Sequence, residues 1–308
     1  MNKLLDCIDK HNKSYIPIWF MRQAGRYLPE FREIRKQNQD FIKLCLNERL
    51  SAEISLQPIR RFDLDAAIIF EDILLISDAL GVEVRFVNGE GPRLDSEYLN
   101  NNLSKLTFKN NKINNIYETI EYVKSALSEN VTLIGFAGSP WTVAAYMIEG
   151  KSSKDFLNAK SWLENENKLL VLFNSIIDST IIYLKNQIKA GAEVLQLFDS
   201  WAGLLDDVQF IKWSIEPTKK IVSELKSYNP NIRIIGFPRN VSIENAFLYA
   251  KNTGVDCISI DYNIDIKDMK NFQKIIPVQG NLHPETLIKG GVSMKNSCLN
   301  IMSNLIDR

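Results

Sequence analysis

No stretch of the 308 residues strings eighteen apolar side chains together, so no segment reads as a membrane span. Excess charge is also lacking. Lys+Arg and Asp+Glu are 37 each, and a net charge of zero argues against nucleic acid or a membrane surface as the main partner. Any attraction for anions must therefore be local. No Pro-, Gly- or Ser-rich tract separates two halves, and no internal repeat is visible, so no linker is expected. Cysteine is scarce. Cys7, Cys45, Cys257 and Cys298 lie far apart without a C-x-x-C pair, the pattern of reduced, packed thiols. The two histidines, His11 and His283, stand beside no cysteine or acid at ligand spacing, which leaves a metal site unsupported. The opening Met1 to Cys7 places Asp6 where a signal peptide needs an apolar core, so a cytoplasmic protein is expected.

What the chain does have is 45% hydrophobic residues, enough for one large α/β domain or two small ones; with no linker in sight, the whole of 1–308 is expected to form a single domain. Short apolar runs that end in Gly or an acid alternate with longer stretches of helical period. That is the mark of βα units and a parallel sheet. Strands are expected near 16–20, 66–70, 131–136, 193–198, 232–237, 256–261 and 276–279, seven in all. Ile116, Ile120, Val123 and Leu127 mark one helix face; Leu169, Phe173, Ile177, Leu184 and Ile188 mark a longer helix closed by Gly191. A further helical stretch, Val208 to Lys226, should bend or split at Pro217. Seven such units approach a (β/α)8 TIM-type barrel, with a doubly wound open sheet as the competitor. The barrel is favoured because no Gly-rich dinucleotide fingerprint follows the first strand and because polar words follow many different strands. Arg22, Asp72, Gly138, Ser200 and Arg239 all fall just beyond expected strand ends, where barrels keep their active sites.

Arg22, Arg26, Arg32 and Arg35 place four guanidinium groups in fourteen residues directly after the apolar run that ends at Phe20. A guanidinium stays charged and grips carboxylate or phosphate at two points, so several on one loop suit a ligand with several acidic groups. Gly25 lets the backbone come close and Pro29 sets the exit from the turn. The plainer reading is a solvated basic helix start; Trp19, Phe20 and Tyr27 around the charges argue against it.

Asp72 follows the apolar run Ala66 to Phe70, and Glu71 shares its turn. Side chains alternate along extended backbone, so one acid should face the mouth and the other turn away, but spacing does not say which. A helix cap or a solvated acid is the alternative. Gly135 to Pro140 reads as strand, glycine turn, Ser139 N-cap and Pro140 at the first helical position, an end that favours an anionic group. It is equally the mark of a well-capped helix. Tyr146, two turns inside, either reaches a ligand carboxylate or joins the core. Ser200 ends a strand without a G-x-S-x-G elbow or a triad-like His, so hydrogen bonding to a ligand suits it better than nucleophilic catalysis. Phe198 is either an apolar wall of the mouth or part of the core.

Pro17-Ile18-Trp19-Phe20-Met21-Arg22-Gln23-Ala24-Gly25-Arg26-Tyr27-Leu28-Pro29-Glu30-Phe31-Arg32 resembles the first signature of the uroporphyrinogen decarboxylase family, differing only at the conservative Ile18. A second family word is similar to Gly135 through Thr142 together with Tyr146 through Gly150. Further echoes are Phe70 to Leu74, Gln196 to Gly203, Gly236 to Arg239 and Gln279 to Leu282, in family order over nearly the whole chain. The resemblance implies decarboxylation of the four acetate side chains of uroporphyrinogen to coproporphyrinogen, in porphyrin and heme biosynthesis, without metal or organic cofactor. It implies a polycarboxylate tetrapyrrole as substrate and a homodimer as assembly. It selects Asp72 over Glu71, where the family usually has a small residue. Carried over residue by residue, it gives Asp72 and Arg22 catalytic roles and gives substrate contacts to Arg22, Gln23, Ala24, Gly25, Arg26, Arg35, Asp72, Tyr146, Phe198 and Ser200.

Such chemistry needs an electron sink next to the departing carboxylate, and a pyrrole protonated at its α-carbon is one. The protein must hold an octa-carboxylate, supply a proton and stabilise a cationic ring. Arginines fit the first task and Asp72 the third. The proton comes from water, from Asp72, or from an Arg22 whose site would have to be strongly perturbed, and the sequence leaves these open.

Two departures stand out: His283 in Gly280-Asn281-Leu282-His283-Pro284, where family members usually have Asp, and Tyr262 in Ser259-Ile260-Asp261-Tyr262, where they have Trp. The resemblance also implies an eighth strand and an N-L-G-H-G word after a helix like Ser293 to Asp307, so the last βα unit is expected to be missing from these residues. Two rival readings follow. One is a truncated, inactive barrel that binds porphyrins or a protein partner. The other is a zinc-dependent methyltransferase of the same fold, which would need a His-x-Cys pair that this chain does not contain.

Overall fold

The structure, a computed structural model, describes residues 2–9, 15–87 and 89–305; His11 lies outside them. The described residues form eight strands: β1 (Ala66–Ile68), β2 (Val84–Val87), β3 (Gly91–Leu94), β4 (Thr132–Gly138), β5 (Val194–Asp199), β6 (Arg233–Pro238), β7 (Cys257–Ser259) and β8 (Val278–Gln279). Six of them make one parallel sheet in the order β1-β4-β5-β6-β7-β8. The other two pair as an antiparallel hairpin that the sequence reading did not include.

Gln279 of β8 donates through Nε2 to Gln196 Oε1 of β5 at 3.2 Å. A flat sheet would hold strands three places apart about 14 Å from each other. The sheet is therefore curled into a half-barrel, with Gln196, Ser259 and Gln279 bonded to one another across its concave face.

The first expected strand, 16–20, does not form. The segment does run beside β1: Asp65 N donates to Ile18 O at 2.9 Å. A ladder fails because side chains replace backbone along this edge. Asp65 Oδ2 takes the Ile18 N–H at 2.7 Å, Gln23 Nε2 donates to Ala66 O at 3.0 Å, and Pro17 has no N–H to give. Farther along the edge, Ser55 Oγ accepts from Phe70 N at 2.8 Å and Ser51 Oγ donates to Phe70 O.

The expected helices are present. Ile116, Ile120 and Val123 are fully buried on the helix Asn114–Ala126. The helix Glu166–Ala190 ends at Gly191 with φ +116°, a left-handed cap that a residue with a Cβ adopts only with strain. This helix is long and apolar enough by composition to cross a membrane, yet more than half of its most apolar window is buried inside the protein. The stretch after Val208 splits into Asp207–Phe210, a π turn at Ile211–Ile215, and Glu216–Tyr228 with Pro217 in its first turn. A small separate cluster, Leu28, Phe31, Leu44 and Ile54, lies under the arginine loop.

Candidate active site

Phe198 and Phe237 pair in register on β5 and β6 and are partly exposed, whereas the residues between them and the strand starts are largely buried. Solvent therefore reaches the concave face at this level, and the carboxyl ends of the strands form a mouth. Phe136 lies below, its ring 5.4 Å from that of Phe198.

Beyond β1 the two acids have different surroundings. Ala67, Ile69 and Glu71 point to the helix layer: Glu71 is buried, accepting from Tyr183 Oη and, at 3.3 Å, from Gln187 Nε2, both on Glu166–Ala190. Asp72 points the other way and is half-buried. Its Oδ1 accepts from Leu74 N at 2.9 Å. Burial pushes the Asp72 carboxyl up to about 6, with the Leu74 N–H and the Arg22 guanidinium pulling against it. The turn itself is pressed against Gly138, where a Cβ would stand 3.1 Å from Ile73 Cβ and 3.3 Å from Ile73 O.

Arg22 and Arg26 are exposed, and among the described residues neither is paired with an acid. Their loop is held from below. Arg32 Nη1 donates to Arg26 O at 2.9 Å and to Tyr27 O at 3.1 Å, Tyr27 Oη donates to Gln23 O, and Leu28 and Phe31 are buried in the small cluster. Gln23 is buried with both ends committed, Nε2 to Ala66 O and Oε1 to Phe20 N, so its side chain fastens the loop to β1. Ala24 packs on the small cluster. A Cβ on Gly25 would meet only the Tyr27 ring, at 3.8 Å and beyond, so the fold itself does not demand glycine there. Arg35 Nη1 donates to Asn38 O and its guanidinium lies 5.7 Å from the Phe41 ring centre, away from the free pair in its bonding.

Tyr146 sits in an aromatic group with Phe156 and Trp201, at 5.6 and 5.9 Å between ring centres. Burial raises the Tyr146 phenol; Asp72 adds to the rise, while Trp201, Ser152 and Arg22 oppose it. Asp72, Arg22 and Tyr146 thus share one electrostatic neighbourhood. Ser200 is half-buried at the end of β5, and the turn that carries it is pinned to the helix Pro140–Glu149. Thr142 Oγ1 accepts from Trp201 N at 3.1 Å and donates to Asp199 Oδ1 at 2.6 Å; Trp141 Nε1 donates to Trp201 O at 2.9 Å.

The start of that helix does hold an anionic group, but the group is the protein's own. Asp199 is fully buried there, also bonded by Ser214 Oγ at 2.6 Å, and burial lifts it to about 6 against the pull of Ser214 and Thr142. Sequence reasoning gave Asp199 no role, though a lone acid closing an otherwise uncharged strand was the available signal. Arg239 was left out of the expected contacts as well. It is exposed on a turn held by Asp199 O, Gly203 N and Asp261 Oδ2, with Asn240 at φ +65°.

The two departures near the end of the chain meet in space. The Tyr262 and His283 rings are 4.4 Å apart, and His283 Nδ1 accepts from Glu285 N at 3.1 Å as an N-cap, the task an aspartate performs at such a position. Among the described residues, no three His, Cys, Asp or Glu side chains are grouped to hold a metal ion.

Against known families, the model described as Uroporphyrinogen decarboxylase (URO-D) matches residues 1–308. The chain is 43% identical over 309 residues to the uroporphyrinogen decarboxylase of Orientia tsutsugamushi (strain Ikeda), spanning 99% of this chain and 90% of that protein. It is 44% identical over 308 residues to the uroporphyrinogen decarboxylase of Jannaschia sp. (strain CCS1), spanning 98% and 90%. Among solved structures, a methyltransferase from Methanosarcina mazei superposes with a TM-score of 0.77 over 99% of this chain and 89% of that one, at 17% identity. Such a likeness speaks for the fold alone.

Proposed function

The chain belongs to the uroporphyrinogen decarboxylase family, and from that premise we infer how its mouth performs the reaction. It is a carboxy-lyase that decarboxylates uroporphyrinogen in porphyrin biosynthesis. The four acetate side chains become methyl groups, which yields coproporphyrinogen. The pyrrole ring serves as its own electron sink once protonated at the α-carbon, so the chemistry calls for no metal or organic cofactor.

In our reading Arg22 and Arg26 hold substrate carboxylates by two-point bonds, and Arg35 contributes charge from the helix behind them. Gln23, Ala24 and Gly25 bring loop backbone to the ligand. Phe198 forms the apolar wall under the macrocycle, and Tyr146 and Ser200 hydrogen-bond its carboxylates. Asp72 lies among the pyrrole N–H groups. A carboxyl near 6 is mostly ionised at neutral pH, so the α-carbon takes its proton from water. Asp72 is then an anion facing the cationic ring. The interaction strengthens only as the transition state forms, which is the condition for acceleration. Loss of CO2 then discharges the ring.

The observation that carries this reading is that unpaired Arg22, with Arg26 on the same loop, stands near a half-buried carboxyl pushed towards neutrality. We read residues 1–308 as one TIM-type barrel domain, cytoplasmic, working as a homodimer; the exposed Ile288 and Val292, at 84% and 74%, favour a partner surface. Sedimentation of the purified chain tests the assembly. The activity is tested by anaerobic incubation with uroporphyrinogen and chromatography of the oxidised products. Stepwise loss of carboxyl groups ending at coproporphyrin is expected. Porphyrin binding without loss of any carboxyl group would favour the binding-protein reading instead.

A further inference from the structure

Directly behind the mouth lies a second carboxyl that the mechanism does not use. Glu71 is the residue before Asp72, faces the opposite side of the sheet, and is 9% exposed. Ala67 of β1 and Ile69 just beyond it are apolar and buried, so packing alone would have been served by another aliphatic side chain. Instead Tyr183 and Gln187, one turn apart and both buried, converge on its two oxygens. Gln187 is itself fixed: Nε2 also donates to Phe136 O at 2.9 Å, and a Cβ on Gly135 would come within 2.2 Å of its Oε1. Strand β4 has therefore given up a side chain to seat the glutamine that holds Glu71.

Resting on the activity proposed above, we propose that Glu71 is a positioning residue: locked from behind by Tyr183 and Gln187, it fixes the turn that presents Asp72 to the substrate. Glu71 and Asp72 share a peptide unit at the start of the turn closed by Leu74 N and Leu75 N on Asp72, so holding one side chain limits where the next can point. Charge division supports the geometry. The titratable groups around Glu71 are Asp72, Cys45, Tyr117 and Tyr183, none of them a cation. Burial first, and then the Asp72 charge, hold Glu71 protonated well above the usual carboxylate range, so Asp72 is the acid that ionises.

The test compares E71Q, E71A and Y183F in the full chain. Glu71→Gln keeps the neutral, hydrogen-bonded shape; it should retain wild-type kcat within about threefold and leave the acid limb of kcat/KM in place. Glu71→Ala and Tyr183→Phe should lower kcat, the former about tenfold, with KM little changed, because a misplaced group costs rate more than binding. An E71Q enzyme as impaired as E71A, or an acid limb that moves in E71Q, overturns the proposal. So does E71A with wild-type kcat.

A second readout needs no turnover. In protein labelled with carboxyl-13C aspartate, with the Asp72 signal assigned by its loss in D72N, that signal should shift in E71A and Y183F and stay in E71Q. An Asp72 signal unmoved in E71A refutes the role of Glu71 whether or not the wild type makes coproporphyrinogen. A wild type without activity, but with the signal moving as stated, refutes the activity and leaves the positioning intact.

Discussion

Replacing Asp72 with Asn should make the protein more stable while making it a worse enzyme. The carboxyl is lifted from an ordinary 3.8 to about 6, chiefly by burial, so the folded state binds its proton more tightly than the unfolded chain does. The sign follows directly. Below the unfolded value both states are protonated and no penalty exists; as pH rises through the window between 3.8 and about 6 the unfolded chain ionises first and stability falls. Above that window the penalty is complete. A lift of this size, at about 1.4 kcal/mol per pH unit, gives ~3 kcal/mol as a ceiling, and screening of a half-buried group brings this to roughly 1–2 kcal/mol. For a chain of this size that is a rise of about 2–4 °C in Tm. The asparagine keeps the bond from Leu74 N, which donates to either side chain's oxygen. The assay is thermal unfolding of both proteins over a pH series, using the difference so that the similarly lifted Asp199 cancels. The D72N variant should show its gain at about pH 8 and lose it by about pH 4. A variant less stable at the higher pH, or one with a gain equal at both ends, would refute the account of Asp72 as a charge held at a cost.

Three further outcomes are expected. Arg22→Lys and Arg26→Lys should each raise KM, roughly tenfold, because a point charge cannot reproduce the two-point grip, and the wild-type KM should itself rise with salt; an unchanged KM in titrations at low and high salt would remove the clamp. Gly138→Ala would set a Cβ 2.8 Å from Val143 Cγ2 and 3.1 Å from Ile73 Cβ, so it should cost about 1–3 kcal/mol in urea unfolding and lower kcat by displacing the Asp72 turn. Thr142→Val leaves Asp199 Oδ1 without its donor and Trp201 N without its acceptor, and a loss of about 2–3 kcal/mol should appear in the same unfolding experiment.

How much of this was legible beforehand depended on where the deciding partner lay. Most of the six strands of the parallel sheet were readable because strands buried on both faces write continuous apolar runs, and Gly191 announced its helix end. Segment 16–20 has the same apolar character. Its failure to pair rests on the Asp65 side chain and on Gln23, partners that no local pattern reveals. The hairpin at 84–94 was missed although Asn88-Gly89 is a turn signal in the sequence. Alternation said that Glu71 and Asp72 oppose each other, but inside and outside exist only once the sheet curls. The helix start at Ser139 was read as suited to an anion; that Asp199 from β5 is bonded there by Thr142 depends on strand register.

In the mechanism proposed above, the Asp72 charge stabilises a cationic ring during decarboxylation. The most direct measurement is the single-turnover rate of coproporphyrinogen formation from saturating uroporphyrinogen, for wild type and D72N, from about pH 5 to about pH 8. The wild-type rate should rise through a midpoint near 6, and the D72N rate should be at least about a hundredfold lower at the upper end with no such midpoint. A D72N rate within about threefold of wild type across the range would contradict this mechanism.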